Sequence, residues 1–567
     1  MRGFASRRLS VGDIRARRQS PYCAVSAEPG WGRRRSSTAI LDENESYDVS
    51  EWEAGSIEGI TYTYGYCDEL NPLRLRLPLL QSGFAPPAVR TACELGFGHG
   101  VSVNIHAAGS ATDWFGTDFN PSHASSAQQL AQCAGSRARL FAESFSEFCL
   151  RDDLPDFDFI GMHGIWSWIS DETRVLIADF IRRKLNDGGV VYMSYNTQPG
   201  WAMMLPVREL MNCHFQASAR LDAHSKAPVE TQSRTHVAAA IDFVNTVVAT
   251  RPGYVVANPL VAERVDALSK ESPHYLAHEY FNRDWEPMTF SQVASSPAAS
   301  GLTYGCAADY RDHVDEINLN PAQRALLAGI PDTALRETVR DFCINRSIRR
   351  DYWVKGSQAL SEEAQQTALR AHRVMLALPR LSVSLKVRGA LGEAALPDSS
   401  YGPILDALAS HHPTSLADIE NRVRGRGITL LFIVKAVTLL VGTGVLLNVQ
   451  DEAHIELARP SSNRLNAAIC EQALQHGQVE FMVSPVSGSG VLIPRLPQLF
   501  LLARRRHLRE PARWAEFAEA ALRGSPATAH VANIVSGSPL DTSGDLIAKA
   551  NRFAEIHLPI LQALGIA

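Results

Sequence analysis

A glycine-rich segment flanked by two apolar runs constrains the fold of this chain more than any other feature. The segment reads E-L-G-F-G-H-G over residues 94–100, after an apolar run that begins near residue 89. A second apolar run ends at Asp118, and a helical pattern lies between the two runs. Strand, tight turn and helix in this order are typical of a cofactor site at the carboxyl end of a parallel sheet. An ordinary strand-to-helix turn is the alternative, because it would use the same glycines.

The spacing of the glycines distinguishes between two kinds of cofactor. A dinucleotide fingerprint, G-x-G-x-x-G, needs its third glycine at position 101, which Val101 occupies. The observed E-x-G-x-G-x-G suits S-adenosylmethionine (SAM), a cofactor that has no pyrophosphate. Gly96, Gly98 and Gly100 would let the backbone approach the methionyl and ribose groups. The sequence therefore predicts SAM as the cofactor.

Five further residues are predicted to contact the cofactor. Glu94, two residues before the first glycine, can face the positive sulfonium end. Asp118 lies where a carboxylate can accept hydrogen bonds from both ribose hydroxyls. Ser144 and Phe145, after the third predicted strand, and His163, after the fourth, complete the predicted set.

Strand and helix patterns alternate from residue 89 to residue 195. We predict strands at residues 89–95, 112–117, 138–142, 157–162 and 189–195. Repeated βα units of this kind predict an α/β fold with a doubly wound, Rossmann-like parallel sheet.

A chain of 567 residues is too long for one hydrophobic core, so several domains are expected. Residues 302–307 have a strand pattern that would complete the sheet, so the cofactor domain is predicted to close near residue 312. We predict, in chain order, a disordered Arg/Ser-rich tail (1–45), the cofactor domain (46–312) with a helical insert at about 217–272, a helical connector (313–400), a winged-helix-like domain (401–455) and a mainly helical C-terminal domain (456–567).

The loops after predicted strands four and five carry the candidate residues for binding a second reactant. They read H-G-I-W-S-W over residues 163–168 and Y-N-T-Q-P-G-W over residues 195–201. Aromatic faces attract cations, so Trp166, Trp168 and Trp201 are candidate substrate-binding residues. The alternative for each tryptophan is a core position that caps the sheet.

Three side chains in these loops are candidate catalytic residues. His163 is either a proton acceptor or a structural histidine, and both alternatives stay open here. Tyr195 and Asn196 would hold the acceptor through a hydroxyl and a carbonyl.

Tyr66, another candidate substrate-binding residue, lies before the first strand. It either forms part of a lid over the cofactor and contacts substrate or belongs to a packed extension.

Composition and charge exclude several classes of function. The net charge of −5 argues against a nucleic-acid-binding surface over the whole chain, and the third helix of the winged-helix-like segment is almost wholly apolar, with only Lys435 to meet a phosphate. Residues 428–449 are apolar, but Lys435 and G-T-G at 442–444 interrupt them, so we predict a buried helix and a strand instead of a membrane span. Nine scattered cysteines without C-x-x-C predict free thiols, no metal site and a cytoplasmic location.

Several of these segments resemble one known family, the class I SAM-dependent methyltransferases with a methyltransferase regulatory domain. Residues 94–100 resemble the glycine loop of the family, and G-T-D-F-N at 116–120 resembles its ribose-binding strand end. The loop H-G-I-W-S-W at 163–168 and S-Y-N-T-Q-P-G-W at 194–201 are similar to two long motifs of the family. The resemblance extends from about Tyr62 to Arg350.

The resemblance implies methyl transfer from SAM to a nitrogen or oxygen nucleophile. The rickettsial outer-membrane-protein lysine methyltransferases belong to this neighbourhood, which implies a protein lysine as acceptor. A small-molecule acceptor and a non-catalytic SAM-binding protein are the alternatives. The sequence does not indicate an oligomeric state.

Overall fold

A mixed seven-stranded β-sheet is the centre of the fold. The structure, a computed structural model, describes residues 64–221, 229–271, 273–356, 358–523 and 546–567. The strands are β1 (Thr91–Leu95), β2 (Asp113–Thr117), β3 (Arg139–Phe141), β4 (Phe157–Met162), β5 (Leu185–Asn196), β6 (Leu302–Ala307) and β7 (Ile348–Lys355). Their order is β3-β2-β1-β4-β5-β7-β6. Strands β1 to β5 are parallel, and β7 runs antiparallel to both β5 and β6. The predicted doubly wound, Rossmann-like sheet is therefore confirmed.

Helices cover both faces of the parallel part of the sheet. They are α1 (Arg76–Gln81), α2 (Val101–Gly109), α3 (Pro121–Ala134), α4 (Phe145–Cys149) and α5 (Asp171–Lys184). Local signals fix their ends, as α3 shows. The Asn120 side chain accepts hydrogen bonds from the first turn of α3, Pro121 occupies the first helical position, and Gly135 ends the helix at φ 57°.

Only helices lie between β5 and β6 in the described part of the chain. They are α6 (Gln198–Trp201), a 3-10 turn (Ala202–Met204), α7 (Leu205–Leu221), α8 (Val229–Ala249), α9 (Gly253–Ala257), α10 (Leu260–Leu268), α11 (Pro273–Phe281) and α12 (Phe290–Ala299). Helices α7, α8, α10 and α11 share their own hydrophobic core. Residues 275–280 belong to α11.

The predicted closure of the cofactor domain near residue 312 is wrong, and so is a purely helical connector over 313–400. After α13 (Asp315–Asn318), α14 (Pro321–Ala328) and α15 (Thr333–Ile344), β7 returns to the sheet between β5 and β6. The sequence pattern concealed β7 because Arg349, Arg350 and Asp351 interrupt its apolar residues. These charges are tolerated because each makes ion pairs within the fold.

A smaller α/β segment follows. It contains α16 (Glu362–Ala371), β8 (Arg373–Leu376), β9 (Lys386–Gly389), β10 (Gly392–Ala395), α17 (Asp398–Ala407), β11 (Thr414–Ser415), α18 (Leu416–Arg422), α19 (Leu430–Gly442) and β12 (Leu446–Asn448). Strands β11, β8 and β12 form a three-stranded sheet. Helix α19 and strand β12 occupy the apolar stretch 428–449, as the sequence predicts. Among the described residues, no helix is long and apolar enough to cross a membrane.

The last segment is mainly helical and packs against the cofactor domain. It contains α20 (Glu452–Gln472), the hairpin β13 (Phe481–Ser484) and β14 (Ser489–Leu492), α21 (Arg495–Arg505), α22 (Pro511–Arg523), α23 (Leu546–Arg552), a π-helix (Phe553–His557) and α24 (Leu558–Ala563). Its core includes Ile105 of α2 and Leu130 of α3. The last carbonyls of α2 accept hydrogen bonds from this side: Ser462 Oγ donates to Ala108 O (2.9 Å), and Gln450 Nε2 donates to Gly109 O (2.7 Å). The predicted tail at 1–45 lies outside the described residues.

Candidate functional site

The glycine loop after β1 contains three glycines with different surroundings. Gly96, Gly98 and Gly100 have φ values of 73°, 56° and 71°, a region that favours glycine. A Cβ on Gly96 would lie 2.3 Å from Ile165 Cδ1, and one on Gly100 would lie 2.3 Å from Ala127 Cβ. A Cβ on Gly98 would meet no heavy atom within 4 Å. Gly96 and Gly100 are therefore required by packing inside the protein, and Gly98 is the glycine with open space before its backbone.

Asp118, at the end of β2, holds the glycine loop in place. The residue is 3% exposed, and its Oδ2 accepts a hydrogen bond of 2.8 Å from Gly98 N. Oδ1 accepts from Asn120 N (3.1 Å) and lies 3.2 Å from His123 Nδ1. A carboxylate oxygen has two lone pairs, so these contacts leave acceptor capacity on Oδ2. Binding of ribose hydroxyls by Asp118 stays a prediction.

Glu94 is a buried carboxyl group without a complete set of partners. The residue is 4% exposed, and its Oε2 has no hydrogen-bond partner among the described residues. Burial, followed by the nearby charge of Asp118, raises the pKa of Glu94 well above its usual value. A cationic group at this position would offset both effects. The residues present therefore fit the ammonium or sulfonium charge of SAM.

Ser144 and Phe145 occupy the start of α4 beside this loop. Ser144 Oγ accepts from Glu147 N (3.2 Å), and Glu147 Oε2 accepts from Ser144 N (2.8 Å), which forms a capping box. Phe145 is buried, and its Cζ would lie 3.7 Å from a Cβ on Gly96. Ser144 thus has a structural task that the sequence did not reveal. Phe145 packs against the loop, and contact of either residue with the cofactor stays a prediction.

His163, at the end of β4, belongs to a cluster of hydrogen-bonding groups. Its Nδ1 lies 2.8 Å from Tyr192 Oη, 3.2 Å from Cys67 Sγ and 3.4 Å from Ser194 Oγ. Burial lowers the pKa of His163 to about 4, so the ring is neutral near pH 7. No hydrogen bond to Nε2 occurs among the described residues, which leaves this atom available to a ligand.

Two charged residues of this cluster were missed at the level of sequence. Glu69, in a 3-10 turn over Asp68–Leu70, accepts from Cys67 Sγ at 3.3 Å and lies 3.7 Å from Arg350 Nε. Burial acts to raise the pKa of Glu69, but Arg74 and Arg350 lower it below its usual value, so Glu69 is ionised. The motif E-L-N-P at 69–72 was the signal in the sequence for Glu69. The sequence could not show that Glu69 lies near Arg350 of β7 and His163 after β4, because the tertiary fold brings these residues together.

Asn196 ends β5 with a buried amide nitrogen that no described residue pairs with. The residue is 3% exposed, and its Nδ2 has no hydrogen-bond partner among the described residues. Its backbone is fixed, because Asn196 N donates to Ser167 Oγ (2.9 Å) and Asn196 O accepts from Met288 N (2.9 Å). A buried amide donor costs free energy unless it is paired, so Asn196 is suited to bind a ligand oxygen.

The assignment of Tyr195 as an acceptor-binding residue needs correction. Successive side chains of a strand point to opposite faces of the sheet, so Tyr195 and Asn196 diverge. Tyr195 is fully buried, and its hydroxyl donates to Asp351 Oδ2 at 2.8 Å. It therefore belongs to a buried ion-pair network on the other face and does not reach His163.

Three of the four predicted substrate-binding aromatics also have structural contacts. Trp166 is 1% exposed in the core, and Trp201 packs edge-on against Trp285 at the helical insert, with 4.9 Å between ring centroids. The Tyr66 hydroxyl accepts from Gly490 N (2.8 Å) and lies 3.1 Å from His106 Nε2, which joins the extension to β14. Burial in the core corrects the assignment of Trp166, whereas substrate contact by Trp201 and Tyr66 stays a prediction. Trp168 is half-buried in the loop after β4, and its role stays a prediction.

The sheet brings the remaining residues to one edge and one face. Glu94 of β1 pairs in register with Gly161 of β4, and Gly161 with Tyr192 of β5. His163 and Asn196 follow on the same face at the carboxyl ends of β4 and β5. A glycine loop with open space, a buried carboxyl group, a neutral imidazole and an amide without a partner among the described residues thus meet at one edge, where parallel sheets of this type bind ligands.

Comparison with known proteins gives the same class. Residues 272–355 match the family described as "Predicted methyltransferase regulatory domain". An uncharacterized protein of Synechocystis sp. is 34% identical over 525 residues, which are 91% of this chain and 100% of that protein. An uncharacterized protein of Rickettsia prowazekii is 24% identical over 321 residues, which are 55% of this chain and 53% of that protein.

Among solved structures, PKMT2 from Rickettsia typhi in complex with AdoHcy has the same fold. The two structures align with a TM-score of 0.61 and 16% sequence identity over 88% of this chain and 99% of PKMT2. Fold and site thus define a Rossmann-like enzyme of the methyltransferase class. The full-length match to the Synechocystis protein and the matched segment identify the family: this chain belongs to the methyltransferases that carry a methyltransferase regulatory domain.

Proposed function

We propose that this protein transfers a methyl group from SAM to a nitrogen or oxygen nucleophile, with a protein lysine as the first candidate acceptor. The observation that carries the proposal is a pair of buried polar atoms at one sheet edge, Glu94 Oε2 and Asn196 Nδ2, that the described protein does not satisfy. Gly98, with open space before its backbone, lies at the same edge. The complex of Rickettsia typhi PKMT2 with AdoHcy supports SAM as the cofactor.

The cofactor would be held by the residues around the glycine loop. Gly98 gives access to the backbone, the Glu94 carboxylate faces positive charge, and Asp118 accepts ribose hydroxyls. When bound, SAM supplies an electrophilic methyl group on a sulfonium, and transfer requires a nucleophile in line with the breaking carbon–sulfur bond. The protein contributes mainly orientation and the exclusion of water.

The His163 cluster prepares the acceptor. A lysine amine has a usual pKa of ~10.4 and must be neutral to act as a nucleophile. His163 is neutral near pH 7, and its Nε2 can accept the amine N–H, while Asn196 Nδ2 donates to an acceptor oxygen such as a backbone carbonyl. The Glu69 carboxylate lies beside this position and stabilises the positive charge that develops on nitrogen. The proton leaves the methylated amine through His163 Nε2.

The setting that we propose is the cytoplasm, with neither nucleic acid nor membrane as partner. Support comes from the net charge of −5 and from eight cysteines in the described segments, none of which forms a disulfide.

A methyl-transfer screen tests the proposal. Labelled SAM is incubated with the full chain and with either lysate proteins or a small-molecule extract, and products are read by mass spectrometry. Label on lysine side chains supports the first candidate. Label only in small molecules makes the alternative acceptor class correct, and SAM binding without transfer to either pool would show a non-catalytic protein.

Matched histidine variants test the chemistry. We expect His163→Gln to lower kcat at least tenfold, about 1.4 kcal/mol, with SAM affinity little changed. His372→Gln is the control, because His372 is also buried with its pKa lowered to about 4, but it bonds to Asn448 in the segment after the sheet. Equal loss of kcat in both variants would contradict a catalytic role for His163.

A further inference from the structure

A second cavity lies beside the edge strand of the sheet, apart from the site described above. It has a volume of about 400 Å³, within the size range of ligand sites. Strand β6 forms one wall, and a register shift between Tyr304 and Cys306 makes a bulge in that strand. Bulges at sheet edges often accompany functional sites. Most of the lining belongs to the segment 272–355 that matches the regulatory domain.

The cavity is rich in guanidinium groups. Four arginines line it, against two carboxylates: Arg336, Arg340, Arg346 and Arg349, with Asp312 and Glu337. Both carboxylates already have partners. Asp312 accepts from Arg346 Nη2 at 2.6 Å, and Glu337 accepts from Arg349 Nη2 at 3.1 Å.

Two of these arginines retain N–H donors that no group among the described residues uses. Arg336 contacts Ile330 O at 3.4 Å and Thr333 Oγ1 at 3.2 Å, and Glu337 Oε1 lies 3.9 Å from its Nε. Arg346 donates from Nη2 to Asp312, and its buried Nε, 3.7 Å from Asp341 Oδ1, has no hydrogen-bond partner in the described part of the chain. A guanidinium has five N–H donors arranged as a planar fork that matches carboxylate and phosphate oxygens.

Behind the lining, further acids balance the other two arginines. Asp341 and Asp351 bond to Arg349, and Asp315 bonds to Arg340. The charges of Arg349 and Arg340 are thereby balanced, and their ion pairs stabilise the wall of the cavity. Arg336 is the cation of the lining without a close carboxylate, and Arg346, although paired with Asp312, offers its remaining N–H donors to a ligand.

We propose that this cavity binds a small ligand through a phosphate or carboxylate group held by Arg336 and Arg346, and that occupation stabilises the loop after β5. The link to the loop is direct. Arg346 O accepts from Gly200 N (2.7 Å) and from Thr197 Oγ1 (2.5 Å), and Ser347 O accepts from Thr197 N (3.0 Å). A Cβ on Gly200 would lie 2.4 Å from Ser347 Cα, so the loop packs directly against this backbone.

Thermal unfolding of the full chain with inorganic phosphate or malonate tests binding. Sodium chloride keeps the ionic strength constant, because screening alone also changes stability. A ligand that binds only the folded state raises Tm in a saturable manner, and we expect this for one or both anions. Phosphate alone, malonate alone or both would identify the ligand group, and no saturable rise with either anion would overturn the site.

Two matched arginine variants make the test specific. Arg336→Gln removes a side chain that is 36% exposed and 3.9 Å from its nearest acid, so it should fold. Arg324→Gln is the control, because Arg324 is 37% exposed and 3.8 Å from Glu316 but does not line the cavity. We expect Arg336→Gln to need at least about tenfold more anion for half the Tm rise, and Arg324→Gln to match the wild type. Equal titrations of Arg336→Gln and the wild type would overturn the assignment.

Hydrogen exchange tests the link to the loop without any assay of methyl transfer. The amides of Thr197 and Gly200 are bonded to Ser347 O and Arg346 O. We expect the saturating anion to slow their exchange in the wild type and in Arg324→Gln, but not in Arg336→Gln at the same concentration. Unchanged exchange in the saturated wild type would overturn the link.

Discussion

The two faces of the sheet near the ends of β5 and β7 differ in how closely their charged side chains are paired and how deeply they are buried. On the face of Tyr195, Arg349 is 4% exposed and donates to Asp351 at 2.8 Å and to Asp341 at 2.9 Å. On the other face, the neighbouring Arg350 is 27% exposed and stays 3.7 Å from Glu69. Two adjacent arginines of one strand thus have different surroundings.

The difference teaches which buried polar groups are structural. Groups on the Tyr195 face satisfy one another, whereas Glu94 Oε2 and Asn196 Nδ2 on the other face have no partner in the described chain. The exceptions on the Tyr195 face include Asp341 Oδ2, Trp353 Nε1 and Arg346 Nε, and none of these lies beside the glycine loop. Burial raises the pKa of Asp341 to about 6, so this carboxyl group loses much of its charge near that pH. Unsatisfied donors and acceptors beside a glycine loop indicate a ligand, because their burial otherwise costs free energy.

The largest expected effect separates the two arginines. Arg349→Leu should lower the free energy of unfolding by about 3–5 kcal/mol, because it leaves Asp351 and Asp341 buried without their cation. Arg350→Leu should cost less than about 1 kcal/mol, because its ion pairs are long and partly exposed. Urea unfolding measures both values, and similar losses would show that the two faces do not differ as described.

The next effect concerns the glycine loop. Gly98→Val should weaken SAM binding at least about 100-fold, or ~2.7 kcal/mol, because the new side chain enters the space before the backbone. Gly188→Val is the control: Gly188 has φ 79°, and its Cβ also meets no atom within 4 Å, but it lies in β5 far from the strand's carboxyl end. Both variants should lose stability, and calorimetry should find the affinity loss only for Gly98→Val. Unchanged affinity in Gly98→Val would remove the cofactor from this loop.

Neighbouring residues of β5 give a sharper comparison. Asn196→Ala should reduce kcat at least about tenfold with little change in SAM affinity, because the amide is assigned to the acceptor. Tyr195→Phe removes only the hydrogen bond to Asp351, so it should cost about 1–3 kcal/mol of stability and leave kcat within about twofold. Steady-state kinetics and urea unfolding of both variants decide the matter; full turnover by Asn196→Ala would place the acceptor elsewhere.

The smallest expected effect is the number of protons released when SAM binds. Because the pKa of Glu94 is raised, the carboxyl group holds a proton that a bound cation should displace. SAM binding should therefore release protons and strengthen as pH rises towards that pKa, by at most about tenfold per pH unit. Calorimetry in buffers of different ionisation enthalpy measures the release, and Glu94→Gln should abolish it. The same release in Glu94→Gln would assign the proton to another group.

The sequence predicts the parallel part of this fold well, because apolar runs and glycine turns are local signals. The predicted bounds of β4 and β6 agree with the structure. Strand β7 could not be predicted, since its charges are stabilised by residues that are distant in sequence. Glu69 was missed for the same reason, because its partner Arg350 is also distant in sequence. Tyr195 is a different case. Side chains alternate between the two faces of a strand, so Tyr195 and Asn196 cannot both face the acceptor, although they are neighbours in one motif.

The contacts at the end of α2 have a consequence for how the chain is made. This helix begins at the glycine loop, but its last carbonyls are satisfied by Gln450 and Ser462, which follow in the sequence 341 and 354 residues later. A ribosome that has synthesised the whole seven-stranded sheet has not yet produced either partner. Contacts of such sequence separation form late. The carbonyls at the end of the helix that follows the glycine loop therefore gain these partners only after the C-terminal segment has been synthesised. The cofactor domain is fully stabilised only when the chain is nearly complete.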